Sequence, residues 1–267
     1  MNVWAVANQK GGVGKTTTVA SCAGLLAESG QRVLMIDLDP QGSLTSYFRY
    51  NPEKLCLSSF DLFSRETLPA VASIDRMLLA TSLPTLKLLP ACSALVTVER
   101  DCRGHDGVGL RVSRLIECLQ DRFDHVLIDS PPVLGVLMIN ALAACDRLLI
   151  PVQTDYLAAR GLDRMVSTLS MVTRATGETL NYSILPTMFE THCDVSTQTL
   201  RALIAQFGER VEDVVIPRDS TLRDASMHGR LPSLHAPMSR AVGGYRLLLE
   251  RASLLVSQST PDLSIVA

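Results

Sequence analysis

The sequence predicts an α/β fold: a doubly wound, mostly parallel sheet flanked by helices. Three observations carry that expectation. Continuously apolar runs such as 33–36 and 126–128 suit strands buried on both faces of a parallel sheet. Helix-like segments alternate with such runs along the chain. The first run, 3–7, passes through a glycine-rich turn at 9–17 into a helix-like stretch, the setting in which a phosphate-binding loop is credible. With 267 residues, 47% of them apolar, the chain suffices for one domain, 1–267, with a large core.

In chain order, strands are expected near 3–8, 32–37, 85–89, 125–130, 147–152, 181–188 and 213–216. Helices are expected over 15–29, 110–121, 136–144, 161–175, 195–207 and 239–256, with Gly30 closing the first as a C-terminal cap. The stretch 41–84 is the least regular and reads as a mobile or partner-facing surface. Gly104-His-Asp-Gly-Val-Gly109 reads as a flexible turn. In doubly wound sheets ligands gather outside the carboxyl ends of the strands, so motifs that end strands should converge there.

The loop is Gln9-Lys-Gly-Gly-Val-Gly-Lys-Thr-Thr17. Gly11, Gly12 and Gly14 let the backbone curl around phosphates and aim its amides inward, with Val13 between them. The helix that begins at Lys15 adds the positive end of its dipole. Lys15 reaches toward β and γ phosphates, Thr16 offers a hydroxyl to Mg²⁺, and Thr17 continues the loop into the helix. The common pattern has glycine where Gln9 stands, and a second lysine, Lys10, follows. Phosphoryl transfer builds charge on the γ-phosphate, and an extra cation could meet it across a dimer interface. The plainer reading of Lys10 is a solvated surface lysine.

Asp37 and Asp39 end the second strand two residues apart and so share a face. A strand-end aspartate often only caps a turn; here Pro40, Gln41 and Gly42 rigidify the turn that follows. Asp129, after Val126-Leu-Ile128, sits where an aspartate would hold Mg²⁺ directly or through water, and its competing role is again a cap.

Lys10–Thr17, Val33–Ser43 with Asp37-Leu-Asp39-Pro40-Gln41-Gly42, and Val126–Pro132 with Asn140 eleven residues after Asp129 occur in the order and spacing of the ParA/MinD family of deviant Walker A ATPases, which the chain resembles over nearly its whole length. Segments 150–153, 185–188 and 215–218 are also similar to ParA sequences. The first strand begins at residue 3, which fits a small ParA, and the opening segment and 42–48 are similar to ParA-like proteins of polar chemotaxis arrays. The resemblance implies a P-loop NTPase fold, ATP and Mg²⁺ as cofactors, and slow, partner-stimulated hydrolysis within an ATP-dependent sandwich homodimer. Asp39 would orient the attacking water and Asp37 would sit nearer the metal. Pro131, Pro132 and Asn140, with Pro40, Gln41 and Gly42, would form the segments that respond to the γ-phosphate. The adenine pocket would lie around Thr187, Met188, Pro217, Arg218 and Asp219. Partners would be a ParB-like or other adaptor, and the cargo DNA or a polar protein array.

Relatives of this kind hold nonspecific DNA through basic residues, and Arg218, Arg223 and Arg230 fall in the matching segment. Residues 201–251 carry eight arginines and six acidic residues, and the formal net charge is -2, so any DNA surface is a local patch. His192 and Thr221 stand where relatives often have arginine, which leaves a solvated arginine face as the other reading. Seven scattered cysteines without Cys-x-x-Cys spacing fit reduced thiols in the cytoplasm, where the resemblance implies a nucleoid-associated or polar location; Cys22, Cys118 and Cys145 read as core residues. The last ten residues lack Lys and Arg, which argues against a basic amphipathic membrane anchor. The main alternative is a metabolic ATP-dependent ligase on the same fold, which needs a small-molecule pocket. A nitrogenase-reductase type would need cluster cysteines after Asp129, and a bacterial tyrosine kinase a tyrosine-rich tail; neither is present in the sequence.

Overall fold

The computed structural model describes residues 1–255 apart from 65, 66, 68, 102–106 and 178. The elements run β1 (Asn2–Val6), α1 (Lys15–Glu28), β2 (Val33–Asp37), α2 (Ser43–Tyr47), α3 (Val71–Met77), β3 (Leu79–Ala80), β4 (Leu86–Leu89), α4 (Leu95–Asp101), α5 (Arg111–Cys118), β5 (His125–Asp129), α6 (Val136–Ala144), β6 (Arg147–Gln153), α7 (Tyr156–Thr176), β7 (Tyr182–Thr187), α8 (Asp194–Phe207), α9 (Ser220–His228), α10 (Pro232–His235) and α11 (Arg240–Arg251). The strands form one sheet in the order β3-β4-β2-β5-β1-β6-β7, parallel except for β3. The doubly wound α/β expectation is met.

Side-chain alternation divides the core into two layers. Val3, Ala5, Leu34, Ile36, Val126 and Ile128 face one layer, where α4 to α8 supply Leu95, Leu115, Leu137, Leu162 and Leu203. Trp4, Val6, Val33, Met35 and Leu127 face the other, against Leu25 and Leu26 of α1 and Tyr245 and Leu248 of α11. Both faces of β2 and β5 are therefore covered, which is why these strands read as unbroken apolar runs.

Several expectations need correction. The strand expected at 213–216 does not form: 211–217 runs beside β7 with isolated bridges at Val211 and Pro217 only. Its amides still reach β7, Glu212 N–H to Ile184 O at 2.8 Å and Ile216 N–H to Pro186 O at 2.8 Å, but four residues of the segment then stand against two of β7, which breaks the register of a regular ladder. The stretch 41–84 is not an irregular surface; it folds onto the sheet and buries Leu44, Leu62, Ile74 and Met77 completely. Helix α7 begins at Tyr156 rather than 161, because Asp155 caps it by accepting from Leu157 N–H at 3.1 Å. Cys118 is exposed, not core, while Cys22 is buried. Residues 104–106 of the Gly104–Gly109 turn, Cys102 and the C-terminal segment from 256 onward lie outside the described residues.

Candidate functional site

The carboxyl-terminal strand ends converge as expected. Asp37 of β2 is in register with Asp129 of β5, and Asp129 with Val6 of β1, so the two carboxylates and the start of the glycine loop lie side by side. Above them opens a cleft of about 590 Å³. Its floor is Gly11, Gly12, Gly14, Lys15, Thr16 and Thr17; Asp39, Gln41, Ser43, Ser46 and Tyr47 form one wall, and Pro132, Met188 and Ser226 complete it.

The loop is shaped for the purpose. Gly12 and Gly14 have φ of 75° and 95°, conformations natural to glycine, and a Cβ at either would meet no atom within 4 Å because it would project into open space. That leaves an open concave backbone on the cleft side of the loop. Val13 anchors it from below: the side chain is fully buried and its carbonyl accepts from Thr187 Oγ1 at 2.9 Å. Lys15 Nζ donates to Lys10 O at 3.2 Å, and burial lowers the lysine's pKa while Asp129 and Asp39 pull it back up.

Thr16 Oγ1 donates to Asp129 Oδ2 at 2.6 Å. Asp129 Oδ1 is buried and has no hydrogen-bond partner. Burial first, and the neighbouring Asp37 second, raise the Asp129 carboxyl well above the usual carboxylate range. A buried, unpartnered carboxylate oxygen beside a threonine hydroxyl is a pair of hard oxygen ligands of the kind Mg²⁺ takes, so the residues fit Mg²⁺. Among the described residues no group of three or more His, Cys, Asp or Glu could hold a metal by itself. The fit is therefore to a dication shared with phosphates, as Mg²⁺ prefers.

Asp37 is different. Its Oδ2 accepts from Thr45 N–H at 2.8 Å and Thr45 Oγ1 at 2.7 Å, and its Oδ1 from Asp39 N–H at 3.1 Å. These bonds make Asp37 a clamp that holds α2 on β2, at a position in register beside Asp129. Burial pushes its carboxyl up to about 7, against these hydrogen bonds. Asp39 lines the cleft and accepts from Gln41 N–H at 2.9 Å; its carboxyl is raised by burial, opposed by that bond and by Lys15. Gly42 takes φ 60°, and a Cβ there would stand 2.6 Å from Pro52 Cγ, so the turn after Pro40 needs glycine for space as well as for conformation.

Other expected residues are placed elsewhere. Asn140 is wholly buried, accepting from Val112 N–H at 3.1 Å and donating to Val108 O and Val136 O at 2.9 Å; it ties α6 to α5 and does not reach the cleft. Pro131 is buried, and Pro132 beside it is the residue that lines the cleft. Of the adenine candidates, Met188 lines the cleft, in a left-handed conformation with φ 54°. Pro217 is bridged to Phe189, Arg218 pairs with Glu190 at 2.6 Å, and Asp219 caps α9 by accepting from Thr221 N–H at 2.9 Å, so these three do not line it. Arg223 and Arg230 are exposed on and just after α9. Lys10 turns from the cleft: its Cβ lies 3.9 Å from where a Cβ of Gly161 would stand, and it lines an adjacent hollow of about 900 Å³ with Pro132, Val133, Leu157 and Arg164. Sequence reasoning missed Thr45, Ser226 and the clefts's α2 wall, since nothing in a Ser/Thr-rich turn marks which hydroxyl meets a carboxylate.

A glycine loop between strand and helix, a loop lysine, and a threonine bonded to a strand-end aspartate define a P-loop nucleotide-binding protein. Comparison with known proteins narrows this. A family described as AAA domain matches residues 1–182. The chromosome-partitioning ATPase Soj of Thermus thermophilus is 37% identical over 257 residues, 96% of each chain. The sporulation initiation inhibitor protein Soj of Bacillus subtilis is 34% identical over 242 residues, 90% of this chain and 94% of that one. Among solved structures, cobyrinic acid a,c-diamide synthase from Mycobacterium smegmatis with bound ATP analog and magnesium aligns with a TM-score of 0.79 at 34% identity, covering 95% of this chain and 96% of that one. The chain belongs to the ParA/MinD family of P-loop ATPases.

Proposed function

We propose that this chain binds and hydrolyses Mg²⁺-ATP and acts as a switch that positions or segregates a cellular cargo. The observation that carries the reading is the convergence, in one cleft, of the open glycine cradle, Lys15, the Thr16–Asp129 pair with its unpartnered oxygen, and Asp39. Lys15 and the loop amides bind the phosphates and neutralise charge that builds on them. Thr16 and Asp129 hold Mg²⁺, which when bound supplies Lewis-acid stabilisation of the phosphoryl oxygens. Asp39, held by Gln41 N–H at the cleft wall, orients the attacking water. The relatives named as chromosome-partitioning proteins support the cargo reading.

In this reading two chains meet over the Lys10 hollow. Val133 and Leu157 are each 65% exposed beside it, an apolar rim suited to a second copy, and Lys10 is free to reach the partner's phosphates. A ParB-like or other adaptor stimulates turnover, and DNA or a polar array is the cargo. Arg223 and Arg230 are the better placed DNA contacts, since Arg218 is already paired. Among the described residues no helix is long and apolar enough to cross a membrane.

Phosphate release and sedimentation in the presence of Mg²⁺-ATP test the reading. Nucleotide binding with slow turnover and a nucleotide-dependent dimer supports it; a chain that binds no nucleotide ends it. The Mycobacterium smegmatis neighbour's name favours a second reading, an amide-forming ligase whose acid substrate would occupy the Lys10 hollow. Turnover that requires a carboxylic acid and an ammonia donor, instead of a second copy of the chain, would select it.

A further inference from the structure

The wall of the cleft made by α2 is fastened to the far end of α9. Tyr47, the last residue of α2, donates its hydroxyl to Arg230 O at 2.8 Å. Two residues on, the Arg49 guanidinium donates to Met227 O in the last turn of α9. Arg49 holds φ 66°, in the left-handed region where helix ends favour glycine. An arginine there sacrifices the easier backbone for a side chain that does something glycine does not, and here it satisfies a terminal carbonyl of another helix, at the end whose dipole attracts a cation. Gly229, which closes α9 with φ 64°, makes room: a Cβ on it would stand 2.5 Å from Arg49 Cγ. The other end of the connection lies in the cleft, where Ser43, Ser46 and Tyr47 of α2 and Ser226 of α9 share the wall.

We propose that Arg49, seated against Gly229, is a positioning residue that makes α9 follow α2, so that the state of the nucleotide cleft is relayed to the outward face carrying Arg223 and Arg230. The proposal rests on the reading of this cleft as an ATP site. Asp39 and Gln41 lie immediately before α2, joined to it by the Pro40–Gly42 turn, so a ligand that reorders this turn displaces α2. The Arg49 and Tyr47 bonds then convert displacement of α2 into displacement of the α9 C-terminus. Two bonds and a matched glycine make one rigid joint rather than a loose contact.

Hydrogen exchange of the full chain, with and without Mg²⁺-ATP, tests this in the unmodified protein and in Arg49→Gly. That substitution keeps the left-handed turn and removes the guanidinium, so it separates the relay from the turn's fold. In the unmodified protein, nucleotide slows exchange at 11–17 and, through the joint, changes it about tenfold at 220–230. Arg49→Gly keeps the response at 11–17 and loses that at 220–230. An unchanged response at 220–230 in Arg49→Gly overturns the role of Arg49, because the Tyr47 bond to Arg230 O or direct contact through Ser226 would then account for it. A response at 11–17 without one at 220–230 in the unmodified protein also overturns it. No response at 11–17 in that protein removes the ATP reading itself, a separate failure.

Discussion

At the amino-terminal edge of the sheet charge is paired: Arg32 with Asp124 at 2.7 Å, Arg122 with Asp75, and Arg147 with Glu212, the last pair also shielded by Trp4 under the guanidinium at 5.0 Å. At the carboxyl-terminal edge Asp37, Asp39 and Asp129 are buried with a single cation, Lys15, and no salt bridge joins them among the described residues. One edge is complete in itself. The other gathers negative charge out of water and leaves a carboxylate oxygen without a partner. The contrast separates charges paired within the fold from charges gathered unpaired at the cleft, and it can be attacked from both ends.

The largest effect is expected at Lys15. Lys15→Ala removes the cation facing the phosphates and should weaken ATP binding by about 2–4 kcal/mol, roughly 30- to 700-fold, measurable by calorimetry. Normal affinity would place the phosphates elsewhere. Asp39→Ala should leave binding in place and remove hydrolysis, read as phosphate release over a single turnover; a variant that still turns over normally denies Asp39 its water. At the opposite edge, Arg147→Ala should cost about 1–2 kcal/mol of stability, since it leaves Glu212 half-enclosed, while nucleotide affinity stays unchanged. Arg32→Ala, at an exposed pair, should not move the thermal midpoint beyond its error.

Asp129→Ala sharpens the comparison most directly. Deleting a buried carboxylate that keeps one bond, from Thr16, and leaves its other oxygen unpartnered should raise the midpoint of the nucleotide-free protein by about 2–4 °C while abolishing Mg²⁺-dependent turnover. A drop in midpoint would mean that Asp129 is a structural cap after all. The pH dependence has a defined sign. Asp37 and Asp129 bind protons more tightly folded than unfolded, so their contribution is full below the unfolded carboxylate range and is lost as pH rises through about 7, where Asp37 ionises. Melting of the nucleotide-free protein should therefore show stability falling between about pH 4 and 7, with Mg²⁺-ATP flattening the fall. A profile flat without nucleotide would deny the strain at this edge.

Much of the site was legible because its chemistry is local. A loop of consecutive glycines, Lys15 and Thr16 needs no distant partner to be recognised, and Asp129 announces itself by ending an apolar run. What could not be read depended on residues far apart in sequence. That Asp37 clamps α2 turns on Thr45, eight residues on, and on Ala91, whose N–H holds Thr45 Oγ1 at 2.9 Å. Asn140 carries no sign in the sequence that it serves the α5–α6 contact. The missing strand at 213–216 failed for a related reason: its apolar residues satisfy the pattern, but Glu212 N–H bonds Ile184 O and the next bond, from Ile216 N–H, reaches only Pro186 O, so four residues of the segment stand against two of β7 and no regular ladder forms.

The sequence by itself determined the layers, the strand-loop-helix at the start and the carboxylates that end two strands, because periodicity and backbone conformation are properties of neighbouring residues. Only the tertiary structure decided which carboxylate keeps a free oxygen, that Lys10 turns from its own cleft, and that Arg49 meets Gly229. Those outcomes depend on strand register and on helices packed from opposite ends of the chain, where burial and hydrogen-bond partners, not residue type, fix what a charged group is able to do.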